Sequence, residues 1–244
     1  MKIVAIIQAR MGSTRLPGKT LLPILGRPLL ERLIERLRFV ERIDQIVVAT
    51  TVAPDDDAIE ATCDRLGAGC YRGSVDDVLD RVLEAARTYH ADLIVEICGD
   101  CPLIDPGTVR SVIELYDTGA FDHTSNILCE GYPRGLDTQV YATRVLAEVA
   151  ELTQNPADRE HVSLYIYEHP KRYRLGRYET PADIRRRRLR LTVDTPDDLA
   201  LIQAIYEHLY PSKPDFSIQD VVRLLDDHPE LADYNAYVTQ KPVR

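Results

Sequence analysis

Short apolar runs separated by amphipathic helical patterns set the tightest limit on what this chain can fold into. Ile3-Val4-Ala5-Ile6-Ile7, Ile46-Val47-Val48-Ala49 and Leu93-Ile94-Val95-Glu96-Ile97 are runs of strand length without polar alternation. Strands buried on both faces of a parallel sheet read this way. Between the runs, Leu29, Leu30, Leu33, Ile34 and Leu37 fall on one side of a 3.6-residue helix. Val75, Val78, Leu79, Val82, Leu83 and Ala86 mark a second helix, whose start is read at Ser74 with Asp77 three positions on as a capping box. Asp105 before Pro106, and Thr195 before Pro196 with Asp198 at the third helical position, give two further helix starts. Leu189–Val193 is a basic-flanked strand candidate. Strands alternating with helices make βαβ units with right-handed crossovers, so the expected fold is α/β, a three-layer, doubly wound, mostly parallel sheet. Residues 121–141 break the rhythm around Gly131-Tyr132-Pro133-Arg134-Gly135 and read as a small β-hairpin insertion. Residues 172–179 read as a short extended piece. The whole, 1–244, is expected to be one domain with a helical C-terminal extension from about 211.

Composition narrows the function. With 45% of its 244 residues apolar, the chain has the means to fill a core and is not a disordered or collagen-like polymer. A net charge of -9 speaks against general nucleic-acid binding. Positive charge is nevertheless concentrated: residues 1–42 hold nine basic and three acidic side chains, and residues 171–190 hold nine and two. Local cationic regions on an acidic protein fit a site for a small anion. No run reaches the ~18 apolar residues of a membrane span, and the N-terminal apolar stretch is too short for a secretory signal. A cytoplasmic protein with no membrane partner is therefore expected, its five cysteines free thiols.

Three segments carry the chemistry. The first strand runs into Ala9-Arg10-Met11-Gly12-Ser13-Thr14-Arg15-Leu16-Pro17-Gly18-Lys19, with three cations, two hydroxyls, two glycines and no acid. Glycine admits backbone N–H groups close to an anion, and Arg and Lys give charge-assisted bonds to phosphate oxygens. An ordinary basic surface loop is the bland alternative. It is not a P-loop, since Gly12 and Gly18 are six apart. The third strong strand ends in Cys98-Gly99-Asp100-Cys101-Pro102, which has two readings. Cys98 and Cys101 have dithiol spacing, but no second Cys or His pair follows to complete a zinc site. In the other reading Asp100 is a metal ligand at the end of the strand. Asp194, after the Arg190–Val193 strand candidate, sits in an equivalent place. In a parallel sheet both carboxylates share one edge with Arg10 and Lys19, and two carboxylates are what Mg²⁺ commonly takes from protein.

These segments resemble the cytidylyltransferases that make CMP-activated acidic sugars, including CMP-ketodeoxyoctonate and CMP-acylneuraminate synthetases. The resemblance rests on the run Gln8-Ala9-Arg10 through Lys19, on Gly99-Asp100-x-Pro102-Leu103-Ile104 and on Val193-Asp194-Thr195-Pro196-Asp197-Asp198-Leu199. Tyr71-Arg72-Gly73-Ser74-x-Asp76-Asp77-Val78-Leu79-Asp80-Arg81 brings it nearest to the spore-coat polysaccharide branch. The resemblance implies a nucleotide-diphospho-sugar transferase-like fold, Mg²⁺ as cofactor and CTP as nucleotide. It places Arg10, Ser13, Arg15 and Lys19 on the CTP phosphates, Arg72 and Ser74 near the cytosine and ribose, and Mg²⁺ on Asp100 and Asp194. Lys19, Arg10 and Asp100 are then the catalytic group. Asn126, Arg134, Asp137 and His161 are the candidates for the acceptor, Arg134 toward a carboxylate and Asp137 toward hydroxyls. Arg134 and Asp137 also have a turn-residue reading, and His161 a packing one. A homodimer is implied as well.

The chain departs from the pattern at Cys101, where many sugar-activating members carry an acid. A glycosyltransferase of the same fold, a Cys98/Cys101 dithiol protein and a non-catalytic nucleotide sensor are the rival functions. The run Arg185-Arg186-Arg187-Arg188, with Arg190, reads as a solvated charged face rather than a nucleic-acid site, because no aromatics interleave it.

Overall fold

The computed structural model describes residues 1–129, 131–186 and 189–240. Along the chain come β1 (Ile3–Gln8), the paired short strands β2 (Pro23–Ile24) and β3 (Arg27–Pro28), α1 (Leu29–Leu37), β4 (Gln45–Thr51) and α2 (Asp57–Leu66). β5 (Gly69–Gly73), α3 (Val78–Thr88), β6 (Leu93–Cys98), α4 (Pro106–Asp117), β7 (His123–Ser125), β8 (Thr138–Ala142) and α5 (Thr143–Leu152) follow. The rest is α6 (Pro156–Glu160), α7 (Leu164–Glu168), β9 (Leu175–Arg177), α8 (Pro196–Leu209), α9 (Ile218–Asp227) and α10 (Pro229–Ala232).

Seven strands form one sheet in the order β5-β4-β1-β6-β8-β7-β9, with β8 alone running against the others among the described strands. The α/β, mostly parallel expectation holds. β1 shows why its sequence is unbroken by polar residues. Ile3, Ala5 and Ile7 pack with α1, α2 and α4, while Val4 and Ile6 pack on the opposite face with α3 and α5. A third apolar cluster, of α8 and α9 with Leu103, Leu136, Leu191 and Val193, closes the end where the strands finish. The chain builds outward from β1 through β4 to β5 and then returns to β6 on the other side of β1. Open sheets bind ligands beyond the carboxyl ends of the strands beside such a reversal.

Four local expectations change. The pieces at 121–141 are not an embellishment: β7 and β8 pair with each other and join the central sheet through β6. The separate small hairpin is β2–β3. Leu189–Val193 is not a strand; only Arg190 bridges, to Arg134. The cap of helix α3 is three residues later than Ser74, at Asp77, which accepts from the Asp80 N–H at 2.9 Å, while the Ser74 hydroxyl accepts from the Asp77 N–H at 3.0 Å. The capping box of Thr195 and Asp198 is formed as expected, as is the Asp105 cap before Pro106. Among the described residues no helix is long and apolar enough to cross a membrane, and all five cysteines are free.

Candidate active site

Two backbone contacts bring the distant acidic residues together. Gly99 sits so close to β1 that a Cβ there would lie 2.4 Å from the Gln8 carbonyl, so the turn carrying Asp100 needs glycine. The Asp100 carbonyl then accepts from the Val193 N–H at 2.9 Å and the Thr192 hydroxyl at 3.1 Å, anchoring the segment that ends in Asp194. Gly135 (φ 97°) lies against the Leu191–Thr192 backbone, where a Cβ would come within 2.4 Å. It lets Arg134 pair with that same segment through the Leu189 carbonyl at 3.1 Å and the Leu191 N–H at 2.7 Å.

Lys19 lies at the centre. Its Nζ donates to Asp100 Oδ2, to Asp194 Oδ1 and to the Val193 carbonyl, each at 2.8 Å. The other oxygen of Asp194 takes Arg15 at 2.9 Å and Arg190 at 2.6 Å. Burial by itself lowers the Lys19 pKa, but Asp100 and Asp194 outweigh it and hold the ammonium above its ordinary value. Burial likewise raises Asp194, and Lys19, Arg190 and Arg15 together bring its carboxyl below the usual range. Arg190 is buried, not on a solvated face. It also bonds Asp198, which is fully buried and donated to by Asn235 at 2.8 Å. Arg187 and Arg188 lie outside the described residues.

The remaining basic-loop residues occupy the β1–β5 side. Ser13 folds the loop by accepting from the Leu16 N–H at 3.3 Å. Exposed Arg10 reaches the Val75 carbonyl at 3.4 Å, next to Ser74, whose carbonyl takes buried Arg81. Arg10 and Ser74 are thus brought together. Arg72 stands apart on the edge strand β5, its guanidinium held by Asp57, Glu60 and the carbonyls of Thr51 and Ala53. The motif analysis missed Asp56. This buried carboxylate accepts from the Met11 N–H at 2.7 Å and from the Thr51 N–H at 3.0 Å, tying the basic loop to the end of β4. The acidic cluster Asp55-Asp56-Asp57 just past that strand end was the available signal.

On the β6–β8 side, Asp137 precedes β8, half-buried and near exposed Arg134. Burial and neighbouring Asp100 raise its carboxyl, and Arg134 pulls it down. Asn126 is fully buried and braces the hairpin, donating to the Leu136 carbonyl at 2.8 Å and accepting from the Thr138 N–H at 2.9 Å. Its amide is spent on the backbone and is not free for a ligand. His161 follows α6, its N–H bonded to the Ala157 carbonyl at 2.9 Å. No described contact joins it to Arg134 or Asp137. The dithiol reading fails on burial, which pushes both the Cys98 and Cys101 thiols well up, whereas a reactive thiol needs an easily formed thiolate.

An open parallel sheet with a cationic loop meeting two carboxylates at its point of reversal is the layout of a nucleotidyltransferase. The family model described as cytidylyltransferase matches residues 4–220, and the chain belongs to that family. It is similar to an uncharacterized protein of Methanocaldococcus jannaschii, 37% identical over 100% of this chain and 98% of that one. It is also similar to the spore coat polysaccharide biosynthesis protein SpsF of Bacillus subtilis, 34% identical over 94% of this chain and 96% of that one. The solved structure of a cytidylyltransferase from Leptospira borgpetersenii superposes with a TM-score of 0.89 at 32% identity, covering 99% of this chain and 100% of that one.

Proposed function

We propose that this cytidylyltransferase moves CMP from CTP to a hydroxyl of an acidic sugar in the making of a surface polysaccharide. The new bond joins the acceptor oxygen to the α-phosphorus, the α–β bridging bond breaks, pyrophosphate leaves and the hydroxyl gives up its proton. The observation that carries the reading is the Lys19 ammonium held at 2.8 Å by Asp100, Asp194 and the Val193 carbonyl, with Arg15 alongside. Arg10, Ser13, Arg15 and Lys19 neutralise and position the triphosphate in this reading, and positioning with charge neutralisation is most of what phosphoryl transfer requires.

The donor set at Lys19 also fits Mg²⁺. Carboxylate and carbonyl oxygens already converge there on one cation. Asp100 and Asp194 are the residues that would hold the ion, which would supply charge neutralisation on the phosphates. Arg134, exposed beside Asp137, takes the acceptor carboxylate in this reading. Arg72 and Ser74 stand on the side assigned to the base and ribose, Arg72 through the loop it pins. The SpsF name supports the polysaccharide role. The cytoplasm and a homodimer complete the reading, the dimer being checked by sedimentation.

The test is pyrophosphate release from CTP, ATP, GTP and UTP in turn, with Mg²⁺ and a panel of acidic sugars. Release with CTP alone is expected. Release with another nucleotide alone, or CTP bound but unconsumed with every sugar, contradicts the reading.

A further inference from the structure

Gln8, the last residue of β1, has no part in the nucleotide and metal reading, yet the structure fixes its side chain with some care. It lies beside Cys98, with Glu96 two residues back on the same face of β6 and Gln139 opposite Glu96 on β8. Glu96 is buried and accepts on both oxygens, from Gln8 Nε2 at 2.8 Å and from the Tyr141 hydroxyl at 2.6 Å. The nitrogen of the Gln8 amide is therefore engaged. Its oxygen has no partner among the described residues, and Gln8 itself is only half-buried. Behind it, Gln139 Oε1 takes the Ser163 hydroxyl at 2.8 Å and His123 Nε2 at 3.1 Å, so the neighbouring side chains are locked too.

Charge tells which ligand this oxygen suits. Glu96, Asp137 and Asp100 act on one another across this part of the sheet, with Arg134 the nearby cation. Of the nucleotide cations, Arg10 reaches toward Val75, Arg15 is joined to Asp194, and Lys19 is joined to both Asp194 and Asp100; none of them bonds Gln8, Glu96 or Asp137 among the described residues. An amide oxygen has no hydrogen to give a phosphate and can only receive one, so a neutral O–H is its natural partner.

We propose that Gln8 is a specificity-determining residue of the acceptor subsite, its amide oxygen receiving a hydrogen bond from a sugar hydroxyl, and that Glu96 is the positioning residue that sets the orientation of that amide. The inference rests on the cytidylyltransferase reading with a sugar acceptor. It adds to that reading a group that binds the hydroxyl face of the sugar while Arg134 takes its carboxylate.

The experiment uses the full chain and steady-state pyrophosphate release with CTP and the acidic sugar that the wild type turns over best. Gln8→Met keeps the volume and removes the acceptor atom. It is expected to raise the KM for the sugar about tenfold, the worth of one neutral hydrogen bond, and to leave the KM for CTP within about twofold. Glu96→Gln keeps the shape but lets the facing amides pair either way round, and is expected to raise the sugar KM by about threefold with the CTP KM again unmoved. In the wild type, deoxygenation of the sugar at the recognised hydroxyl costs the same factor as Gln8→Met, and in Gln8→Met it costs nothing further. A rise in the CTP KM instead places Gln8 in the nucleotide site and overturns the proposal. So do unchanged constants in both variants, or parallel losses in both KM values with a lowered melting temperature, which mark a purely structural role. Absence of turnover by the wild type with every sugar overturns the parent reading, and this inference with it. That outcome is distinguished because the wild type itself is then inactive.

Discussion

The two sides of the sheet's carboxyl edge satisfy their polar groups by opposite means. On the side of β1 and the Asp194 segment, charge meets charge: Lys19 with Asp100 and Asp194, Arg15 and Arg190 with Asp194, Arg190 with Asp198. Along β6, β8 and β7, buried ionisable groups meet neutral partners: Glu96 with Gln8 and Tyr141, His123 with Gln139. The first arrangement keeps its groups ionised, with Asp194 held below and Lys19 above their ordinary values. The second favours neutral forms. Burial pushes Glu96 up to about 7 and His123 down to about 4. A polyphosphate and a metal ion call for the first kind of surface, and a polyhydroxy acceptor for the second.

Breaking the charged side has the largest expected effect. Lys19→Met leaves Asp100 and Asp194 facing each other and removes the cation that the proposed reading sets on the phosphates. Pyrophosphate release from CTP is expected to fall by about a hundred- to a thousandfold, measured at saturating CTP. Lys19→Arg restores little, because a planar fork does not replace an ammonium meeting three oxygens.

Asp198→Ala takes one of its two carboxylate partners from the buried Arg190 guanidinium, leaving Asp194, and removes half of the α8 capping box. Urea denaturation is expected to show a loss of about 3–5 kcal/mol.

The neutral side is tested by pH. Folded Glu96 holds its proton to about 7 against an ordinary 4.5, so the native state binds more protons than the unfolded chain between those values. Stability from this group is therefore lost as pH rises through that window, by up to about 3 kcal/mol. Glu96→Gln is expected to flatten that decline in melting curves taken from pH 5 to 8. His123 has the opposite sign. Its folded value of about 4 lies below 6.5, so its contribution is lost as pH falls from 6.5 through 4, and His123→Gln is expected to soften the acid limb.

The smallest effect is expected at Asp77, which caps α3 and pairs with Arg159. Asp77→Ala is expected to cost about 1 kcal/mol by the same denaturation, with the CTP KM little changed.

The charged side was legible in the sequence and the neutral side largely was not. β1, β4 and β6 announce themselves because strands covered on both faces need apolar residues at every position, and the motif residues sit where those runs stop. β7 and β9 have three residues each, too few to show a period, and β5 is a half-buried edge of Gly69-Cys70-Tyr71-Arg72-Gly73. Arg190 reads as solvated because its neighbours are basic, and only the fold shows that Asp194 and Asp198 surround it. Nothing in the sequence marks Asn126 as buried, since its partners are the backbone of residues ten and twelve positions away. Gln8 and Glu96 are 88 positions apart, and nothing local in either segment predicts their bond.

The most direct test is CTP-dependent pyrophosphate release across a Mg²⁺ titration for the wild type, Asp100→Asn and Asp194→Asn. The account predicts saturable Mg²⁺ dependence in the wild type. It also predicts at least about a hundredfold loss in each variant, with folding intact by melting temperature. Turnover retained in both folded variants at the same Mg²⁺ midpoint as the wild type would contradict it.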